Sequence, residues 1–398
     1  MSSRTPGPHA GECSPRGFSH GALATPHAAV VTIHHMRPQD LVIDPDITRA
    51  RTLPGRIYSD PEVFSLAKER VFRPSWQFVA DARAISVPGQ CLPLTLLEGF
   101  LDEPILLTRG RDDVVRALSN VCTHRGTILC EHPGIEKSLV CRYHGRRFDL
   151  DGTFRHMPEF EAANDFPSED DNLRKVSLAA WHDALYFASL RPNVDLHELL
   201  APMRDRLAWL PLPELRFDPS RSRDYLVRAN WALYIENYLE GFHIPFVHPS
   251  LNEAIDYGAY STELFPWCNL QLAIAKPGEP AFTPPESSPD FGRRVAAYYW
   301  WVFPNMMFNF YPWGLSINIV RPLAPDRTRV SFLSYVSDES KLDAGAGSGL
   351  DRVEREDEAV VESVQRGTAA SLYPGGRFSP TRERGVHHFQ RLFSAALA

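Results

Sequence analysis

Apolar positions change their spacing near residue 175, and this change predicts two kinds of structure. From residue 76 to residue 175 the apolar runs are short and are broken by Gly, Pro and Asp, as at Ile105 to Leu107 and at Phe148. Short runs with frequent turn residues predict a small β domain. After residue 175 the runs lengthen, and strands are expected at 269–275, 295–303, 306–311, 315–321 and 328–336.

Helical spacing is confined to a few stretches. Helices are predicted over Pro61 to Val71, over 229–243 and over 350–370. Strands followed by a long terminal helix favour an α+β fold, in which helices cover a large antiparallel sheet in a helix-grip arrangement. Gly345, Gly347 and Gly349 precede the last helix, but they lack the spacing and the β-α-β context of a dinucleotide site, so a flexible linker is expected there.

The chain is expected to divide into an extension and three ordered parts. Residues 1–36 contain few acidic side chains and many His, Gly, Pro and Ser, which favours a disordered extension or a start site upstream of a true start at Met36. An organellar transit peptide is the alternative, which would place the protein in an organellar stroma rather than the cytoplasm. The ordered parts are expected at 37–75 (a segment packing on the catalytic domain), 76–175 (the small β domain) and 176–398 (the catalytic domain).

Charge and hydropathy narrow the classes of partner. The 398 residues carry a formal net charge of -7, which argues against nucleic-acid binding. The longest apolar run, Val295 to Phe303, is far shorter than the roughly 18 residues that a bilayer span requires, so no membrane association is expected. Six cysteines in a chain of this length do not indicate a disulfide scaffold.

Two short Cys-His motifs predict a metal centre in the β domain. Cys122-Thr-His124 is followed after sixteen residues by Cys141-Arg-Tyr-His144. Two thiolates and two imidazoles suit tetrahedral zinc, and they equally suit a [2Fe–2S] cluster with the cysteines on one iron and the histidines on the other. Cys130-Glu-His132 offers a rival pairing, although a buried thiol and a loop histidine are the simpler interpretation.

A second group of ligand-type residues lies in the predicted helix 229–243. Glu236, Glu240 and His243 are spaced i, i+4 and i+7, so a continuous helix would place them on one face. His248 would point elsewhere on such a helix, and Pro245 is expected to break the helix at Ile244 so that His248 turns back. Two converging imidazoles are two of the three ligands in a facial triad for non-haem Fe(II).

The third ligand should be a carboxylate from another part of the chain. In the predicted helix 350–370, Asp357 lies in the middle of an apolar stripe, with Glu356 and Glu358 about 100° to either side. A carboxylate on an apolar face is either a ligand or one half of an ion pair. Asp357 is therefore predicted as the ligand, and a pairing with Arg391 is the alternative.

These motifs together resemble the Rieske non-haem iron oxygenases. N-V-C-T-H-R-G and C-R-Y-H-G-R-R-F-D resemble the cluster-binding loops, and N-W-x4-E-N-x2-E-G-F-H-x4-H resembles the catalytic-iron motif. The stretches R-E-D-E-A-V-V-E-S-V-Q-R-G and Y-P-G-G-R-F resemble the choline monooxygenase branch, and the similarity begins near Pro54. The resemblance identifies the β domain as a Rieske domain.

The resemblance also implies roles for single residues. A Rieske [2Fe–2S] cluster would bind to Cys122, His124, Cys141 and His144, and mononuclear iron to His243, His248 and Asp357. Glu240 would be catalytic, as the bridge between a neighbouring subunit's cluster and this iron, and Asn237 would lie near the open iron positions. The family forms head-to-tail trimers, so a homotrimer is expected.

The reaction implied is a hydroxylation with O2 and with electrons from a flavin- or ferredoxin-type reductase. The favoured substrate is a quaternary ammonium compound or related amine, such as choline, betaine or carnitine, attacked at a carbon next to nitrogen. The alternative is hydroxylation of an aromatic ring or O-demethylation, and a distant alternative is a structural zinc module. Aromatic residues at 298–313 could form a cation site, but alternation along strands allows at most half of them to line one cavity.

Two arginines depart from the family pattern. Arg142 and Arg146 stand where many members have Pro and Trp. Extra cations would stabilise a reduced, more negative cluster. They could instead face an acidic electron donor.

Overall fold

The structure is a computed structural model that describes residues 41–398. It contains two seven-stranded sheets and one three-stranded sheet, and all three are antiparallel. The first seven-stranded sheet has the order β1-β10-β9-β4-β3-β2-β5 and the three-stranded sheet has the order β6-β7-β8. The extension predicted for residues 1–36 lies outside the described residues. The strands of these two sheets are β1 Gln77–Asp81, β2 Gln90–Leu96, β3 Glu103–Arg109, β4 Val115–Ser119, β5 Gly134–Ile135, β6 Leu139–Val140, β7 Arg147–Phe148, β8 Phe154–His156, β9 Lys175–Trp181 and β10 Leu185–Ser189.

The first sheet continues past the boundary expected at residue 175. The hairpin of β9 and β10 returns to it, since β9 pairs with β4 and β10 pairs with β1. Ladder hydrogen bonds satisfy backbone groups that the edges of β1 and β4 would otherwise expose. We therefore describe the small β unit as extending to Ser189.

The second seven-stranded sheet carries the long strands of the catalytic part, in the order β11-β17-β16-β15-β14-β13-β12. Its central strands are buried on both faces, which explains their nearly continuous apolar sequences. Its strands are β11 Arg216–Val227, β12 Ser261–Leu264, β13 Cys268–Ile274, β14 Val295–Val302, β15 Met306–Tyr311, β16 Gly314–Ala324 and β17 Arg327–Val336. The expected α+β fold with a large antiparallel sheet is confirmed.

Seven α-helices of the described residues pack on this frame. The first begins after Asp60, whose side chain accepts a hydrogen bond from the Glu62 N–H as an N-cap, and it continues into a wider turn that ends at Phe72. None of the described helices is long and apolar enough to cross a membrane. The helices are α1 Pro61–Ala67, α2 Leu196–Arg206, α3 Trp231–Tyr238, α4 Ile244–Val247, α5 Pro249–Ala254, α6 Leu350–Thr368 and α7 Arg384–Leu397.

The second sheet separates two clusters of buried side chains. On one face, Trp300 and Phe308 pack with Trp181 and Phe187 of the small β unit. On the other face, Tyr299 and other residues pack beside α4 and α5. This alternation follows from the two-residue repeat of a strand, and it leaves only the second face free to line a site under the helices.

The glycine-rich segment before α6 is not a flexible linker. Ala346 and Gly347 are buried, and the Trp313 indole N–H donates to the Gly347 carbonyl at 3.1 Å. A Cβ atom on Gly347 would lie 2.2 Å from Trp313 Nε1, so the close approach of this backbone requires glycine. The segment fixes the start of α6 against β16.

Candidate metal centres and substrate cavity

The two Cys-His loops of the β unit have the same backbone geometry. The Cys122 N–H donates to the Thr127 carbonyl at 2.8 Å, and the Cys141 N–H donates to the Arg146 carbonyl at 2.8 Å. The two sequence motifs thus fold into equivalent turns. Equivalent turns present their thiols and imidazoles in equivalent positions, as a two-sided metal centre requires.

A glycine closes each of these turns. Gly126 and Gly145 have φ values of 75° and 74°, and each donates its N–H to the carbonyl of the cysteine four residues earlier. Positive φ is costly for residues with a Cβ atom, which explains a glycine after each motif.

The four predicted ligands converge between the loops. Cys122 and Cys141 are buried in the same core cluster, and the His124 and His144 rings are 4.8 Å apart between centroids. Burial, followed by the neighbouring cationic groups, lowers the pKa of His124 and favours the neutral imidazole that binds metal. His144 Nδ1 is buried without a hydrogen-bond partner, which is costly unless it ligates. This Cys2His2 donor set therefore fits a [2Fe–2S] cluster.

The rival pair lies apart from this group. Cys130 Sγ is 3.1 Å from the carbonyl oxygen of His132, and His132 is exposed. Cys130 is only partly buried and packs at the margin of the core cluster that holds Cys122 and Cys141. The structure thus favours the simpler interpretation of a thiol and a loop histidine.

The two arginines beside the loops have different environments. Arg142 is exposed, whereas Arg146 is only 2% exposed. The Arg146 guanidinium binds the Asp171 carboxylate at 2.5 Å and lies over the rings of Phe154, Phe148 and Phe166. Because Arg142 is exposed and Arg146 is buried, one role, either stabilising the reduced cluster or binding an acidic donor, does not explain both arginines.

The predicted helix 229–243 ends earlier than expected. α3 stops at Tyr238, so Glu236, Glu240 and His243 do not share a helical face. Glu236 is partly buried, and its carboxylate accepts hydrogen bonds from Tyr58 (2.7 Å) and Gln390 (3.0 Å). The expected break at Ile244 is also wrong, because Pro245 occupies the first turn of α4, where its missing N–H costs nothing.

Glu240 shapes the turn between the two helices. Its carboxylate accepts hydrogen bonds from the backbone N–H groups of Phe242 and His243, and its Oε1 lies 2.6 Å from His243 Nδ1. A side chain that satisfies backbone donors competes with helix propagation. Glu240 therefore ends the helix and orients the His243 ring at the same time.

His243, His248 and Asp357 meet at one point. Their ligand atoms all lie within 4.8 Å of one another. Asp357 Oδ1 is 3.0 Å from His248 Nε2 and 3.5 Å from His243 Nε2, whereas no ion pair joins it to Arg391, which the structure also describes. Two imidazoles and one carboxylate form a site that fits mononuclear Fe(II).

Carboxylates behind the two imidazoles fix which nitrogen faces the centre. Glu240 binds His243 Nδ1, and Glu356 binds His248 Nδ1 at 2.8 Å. Each Nδ1–H is thereby engaged, which leaves the Nε2 lone pair for a metal. Burial disfavours charge on His248, but Asp357 and Glu356 outweigh it and raise its pKa. Sequence spacing did not reveal the role of Glu356, although its position next to Asp357 is a usable signal.

Asn237 also contacts the centre. It leaves the last turn of α3 and donates its amide N–H to Asp357 Oδ1 at 2.7 Å. Asn237 thus lies near the metal position, as predicted, and its contact is a hydrogen bond to the proposed ligand Asp357.

A cavity of about 100 Å³ opens beside this centre. Since one water needs roughly 10–15 Å³, the cavity holds a small molecule. Of the aromatic residues at 298–313, Tyr299 and Tyr311 line it, while Tyr298 and Trp300 face the opposite side of the sheet; Tyr260 also lines it. Its remaining lining residues include several that sequence reasoning missed: Tyr234, Tyr238, Gln271, Asn309, Asn318, Phe332 and Glu354.

The tyrosine hydroxyls of the cavity are already engaged. The Tyr238 hydroxyl donates to Asn309 at 2.6 Å, and the Tyr260 hydroxyl donates to Gln271 at 3.2 Å. Burial raises the pKa of Tyr238 and Tyr260, so both stay neutral phenols. The aromatic rings are therefore what these residues offer to a bound molecule.

Two protein-family models match separate parts of the chain. Residues 75–167 match the Rieske [2Fe-2S] domain, and residues 212–398 match the ring hydroxylating alpha subunit (catalytic domain). Choline monooxygenase of Arabidopsis thaliana, described as chloroplastic, is 31% identical over 375 residues, which is 88% of this chain and 84% of the relative. The carnitine monooxygenase oxygenase subunit of Escherichia coli (strain K12) is 29% identical over 90% of this chain and 96% of its own length.

Solved structures give the same fold. A quaternary ammonium Rieske monooxygenase in complex with L-carnitine superposes with a TM-score of 0.70 at 24% identity, over 88% of this chain and 96% of that structure. Naphthalene 1,2-dioxygenase from Rhodococcus sp. bound to indole gives a TM-score of 0.63 at 22% identity, over 87% of this chain and 93% of that structure.

Proposed function

This chain belongs to the Rieske non-haem iron oxygenase alpha subunits, and from that premise we propose that it hydroxylates a small quaternary ammonium compound or related amine at a carbon next to nitrogen. As a member it holds a Rieske [2Fe-2S] cluster and a mononuclear iron, which removes the alternative of a structural zinc module. When bound, the cluster supplies single electrons and the iron supplies the reaction with O2.

We propose ligands for both groups from the observed geometry. Cys122, His124, Cys141 and His144 are the cluster ligands, because they converge from two equivalent turns and leave His144 Nδ1 otherwise unpartnered. His243, His248 and Asp357 hold the iron, because their ligand atoms meet in one site. Glu240 and Glu356 orient the imidazoles, and Asn237 holds Asp357.

The cavity carries the proposal for the substrate class. Rings of Tyr238, Tyr260, Tyr299 and Tyr311 surround the space beside the iron site, and an ammonium group over such rings is held by their electron-rich faces. No Lys or Arg occurs among the described residues that line this cavity, so a substrate carboxylate, whether of an aromatic acid or of betaine or carnitine, would find no cation there, and an amine without a carboxylate, such as choline, fits best. The related choline and carnitine monooxygenases are named for ammonium substrates.

The electron donor is a separate protein in this proposal. The carnitine relative is named as an oxygenase subunit, which implies a companion reductase. A flavin- or ferredoxin-type reductase with an acidic surface would suit the exposed cations Arg125, Arg142 and Arg147 near the cluster loops.

Assembly as a head-to-tail trimer is the further part of the proposal. Next to Glu240, Phe242 is 42% exposed and Phe246 is 79% exposed, so an apolar surface adjoins the iron site. Tyr143, beside the cluster ligand His144, is 56% exposed. A second copy that covers this surface would place His144 of the partner subunit where it donates a hydrogen bond to Glu240.

A substrate screen tests the proposed function. The protein, loaded with iron and cluster and supplied with a surrogate reductase, is offered choline, glycine betaine, carnitine and benzoate-type acids while oxygen uptake and product are measured. We expect uptake matched by hydroxylated product with an ammonium substrate, and little with the acids. Matched uptake with the aromatic acids alone would instead support the ring-hydroxylating alternative, which the aromatic walls of the cavity would also accommodate.

A further inference from the structure

A buried carboxylate of the cavity has no role in the two metal sites. Glu354 lies on α6 one turn before Asp357 and is 2% exposed. It lines the substrate cavity together with the four tyrosines. Residues three apart on a helix are neighbours on its surface, so Glu354 adjoins the iron ligand without belonging to the ligand set.

Glu354 is only half satisfied by its surroundings. Its Oε2 accepts a hydrogen bond from the Tyr234 hydroxyl at 2.6 Å, whereas its Oε1 is buried without any hydrogen-bond partner. An unpaired buried carboxylate oxygen is costly, and the cost is removed when a cation or a donor arrives. Burial accordingly raises the pKa of Glu354 well above its ordinary value.

The protein supplies no cation to Glu354. The nearest one is Arg355, which is exposed, forms its ion pair with Glu358 at 2.8 Å and lies over the Tyr225 ring. Burial favours the protonated carboxyl, and none of the described lining residues is a Lys or Arg that would favour its ionised form, so a bound ammonium group would supply the positive charge that stabilises the carboxylate.

We propose that Glu354 is the anionic subsite of the substrate cavity, which binds the positive ammonium group and selects cationic over uncharged substrates of the same shape. This inference rests on the proposed function and adds to it, because the electron-rich tyrosine rings favour a cation over an apolar group of equal size only modestly. The buried carboxylate separates the two by charge.

The test compares two ligands that differ in one atom. Choline and dimethylbutanol, its uncharged analogue with carbon in place of the nitrogen, are titrated calorimetrically into the metal-loaded protein without reductase, so no turnover occurs. The measured quantity is the ratio of the two dissociation constants. We expect the wild type to prefer choline and Glu354→Gln to lose at least about tenfold of that preference, with dimethylbutanol binding little changed.

Two further variants separate charge from packing. Glu358→Gln removes an equal charge one turn further along the same helix, outside the cavity, and should leave the ratio within about twofold of the wild type. Glu354→Asp keeps the charge and should retain most of the preference even if both ligands bind more weakly.

The outcomes are distinct. The inference is overturned if Glu354→Gln keeps the wild-type ratio, if Glu358→Gln lowers it equally, or if Glu354→Asp loses it as completely as the Gln variant. A wild type that shows no preference for choline over dimethylbutanol overturns the proposed substrate class itself, and the inference with it. A wild-type preference that only Glu354→Gln abolishes supports both.

Discussion

At the scale of single residues, Glu240 performs two tasks with one carboxylate. It accepts backbone hydrogen bonds from Phe242 and His243, and it engages His243 Nδ1. It is 14% exposed, so part of the carboxylate remains open to a neighbour. Removing its charge while keeping its shape should therefore weaken the proposed link between subunits.

Glu240→Gln is predicted to retain both metal groups and to lose turnover by on the order of a hundredfold. The Gln oxygen still accepts from His243 Nδ1, so iron content should be unchanged, although the amide NH2 group cannot accept from the backbone N–H groups of Phe242 and His243; the charged acceptor for the proposed neighbouring cluster ligand is lost. Iron and sulfide analysis, with oxygen-coupled product formation, provides the measurement. Unchanged turnover would refute the bridging role, and loss of iron would assign Glu240 a purely structural one.

Arg146 is the second residue whose environment predicts a measurable effect. Its guanidinium binds the Asp171 carboxylate and donates to the Asp171 carbonyl at 3.2 Å, and that carbonyl also accepts from Thr123 in the other cluster loop at 2.8 Å. Arg146 thus connects both loops. A buried cation is poorly screened, so it should stabilise the reduced cluster, which carries one more negative charge.

Arg146→Gln is predicted to lower the midpoint potential of the cluster by about 59 mV, which corresponds to a tenfold smaller equilibrium constant for its one-electron reduction. Arg142→Gln is the matched control, because Arg142 lies in the same loop but is exposed to solvent. Spectroelectrochemical titration of both variants provides the comparison. Equal shifts in both variants would show that burial of Arg146 is irrelevant, and donor affinity that changes only in Arg142→Gln would support a docking role for the exposed arginine.

At the scale of elements, five strands of the second sheet were predicted well, whereas β11 and β12 were not predicted and the end of the helix 229–243 was wrong. Strands β14 and β15 are buried on both faces, so burial alone produces long apolar runs bounded by turn residues. The end of α3 depends on hydrogen bonds that the backbone N–H groups of Phe242 and His243 donate to the Glu240 carboxylate. The spacing of apolar residues does not reveal this competition between helix and turn, because either structure is compatible with the residue types at 239–243.

The site shows the same division between local and distant information. His243 and His248 were recognisable because they lie close together in the sequence. The bond from Glu356 to His248 spans 108 positions, and Glu354 meets Tyr234 across 120 positions. Glu354 meets Tyr234 where α6 packs against α3, and Glu356 meets His248 at the junction of α4 and α5, so sequence spacing alone does not reveal either contact.

The carboxyl group of Glu236 forms hydrogen bonds with two other parts of the chain. Glu236 of α3 accepts hydrogen bonds from Tyr58, before α1, and from Gln390 of α7. Burial raises the pKa of Glu236 to about 7, although the bonds from Tyr58 and Gln390 oppose the shift. The folded state therefore holds this proton more tightly than the unfolded state, whose pKa is near 4.5.

Stability is consequently predicted to fall as pH rises from about 4.5 to about 7. Below this window both states are protonated and the contribution is fully present; through it only the folded state keeps the proton, so up to roughly 3 kcal/mol is lost. Glu236→Gln should remove this dependence. Urea unfolding of both proteins across the window measures it, and their difference cancels titrations that they share. A difference that is constant with pH would contradict the prediction.

At the scale of the whole molecule, the cluster loops belong to the small β unit, whereas the iron ligands come from the helical segments around α4 and α6. The exposed Phe242 and Phe246 adjoin the iron site, and the exposed Tyr143 adjoins the cluster loop. In a head-to-tail ring each copy would use both surfaces, one towards each neighbour.

Mixed trimers test this arrangement. A subunit without a cluster (Cys141→Ala) and a subunit without iron (Asp357→Ala) are each expected to be inactive. Coexpressed, they should regain roughly one working site per mixed trimer, because each mixed ring contains one junction between an intact cluster and an intact iron site. Oxygen-coupled turnover of isolated mixed trimers is measured. Absence of recovery in mixed trimers of proven composition would mean that both centres of one chain serve each other.

Helix α6 carries four acidic residues in five positions, and each has its own set of contacts. Glu354 meets Tyr234 at the cavity, Glu356 meets His248, Asp357 meets both imidazoles and Glu358 meets Arg355. A one-residue insertion or deletion upstream in this helix would turn all four by about 100° together. We therefore expect related sequences to differ in this helix by substitutions and not by insertions or deletions. If Glu354 selects the substrate as proposed, a substitution at position 354 would change the substrate preference and leave the iron ligands in place.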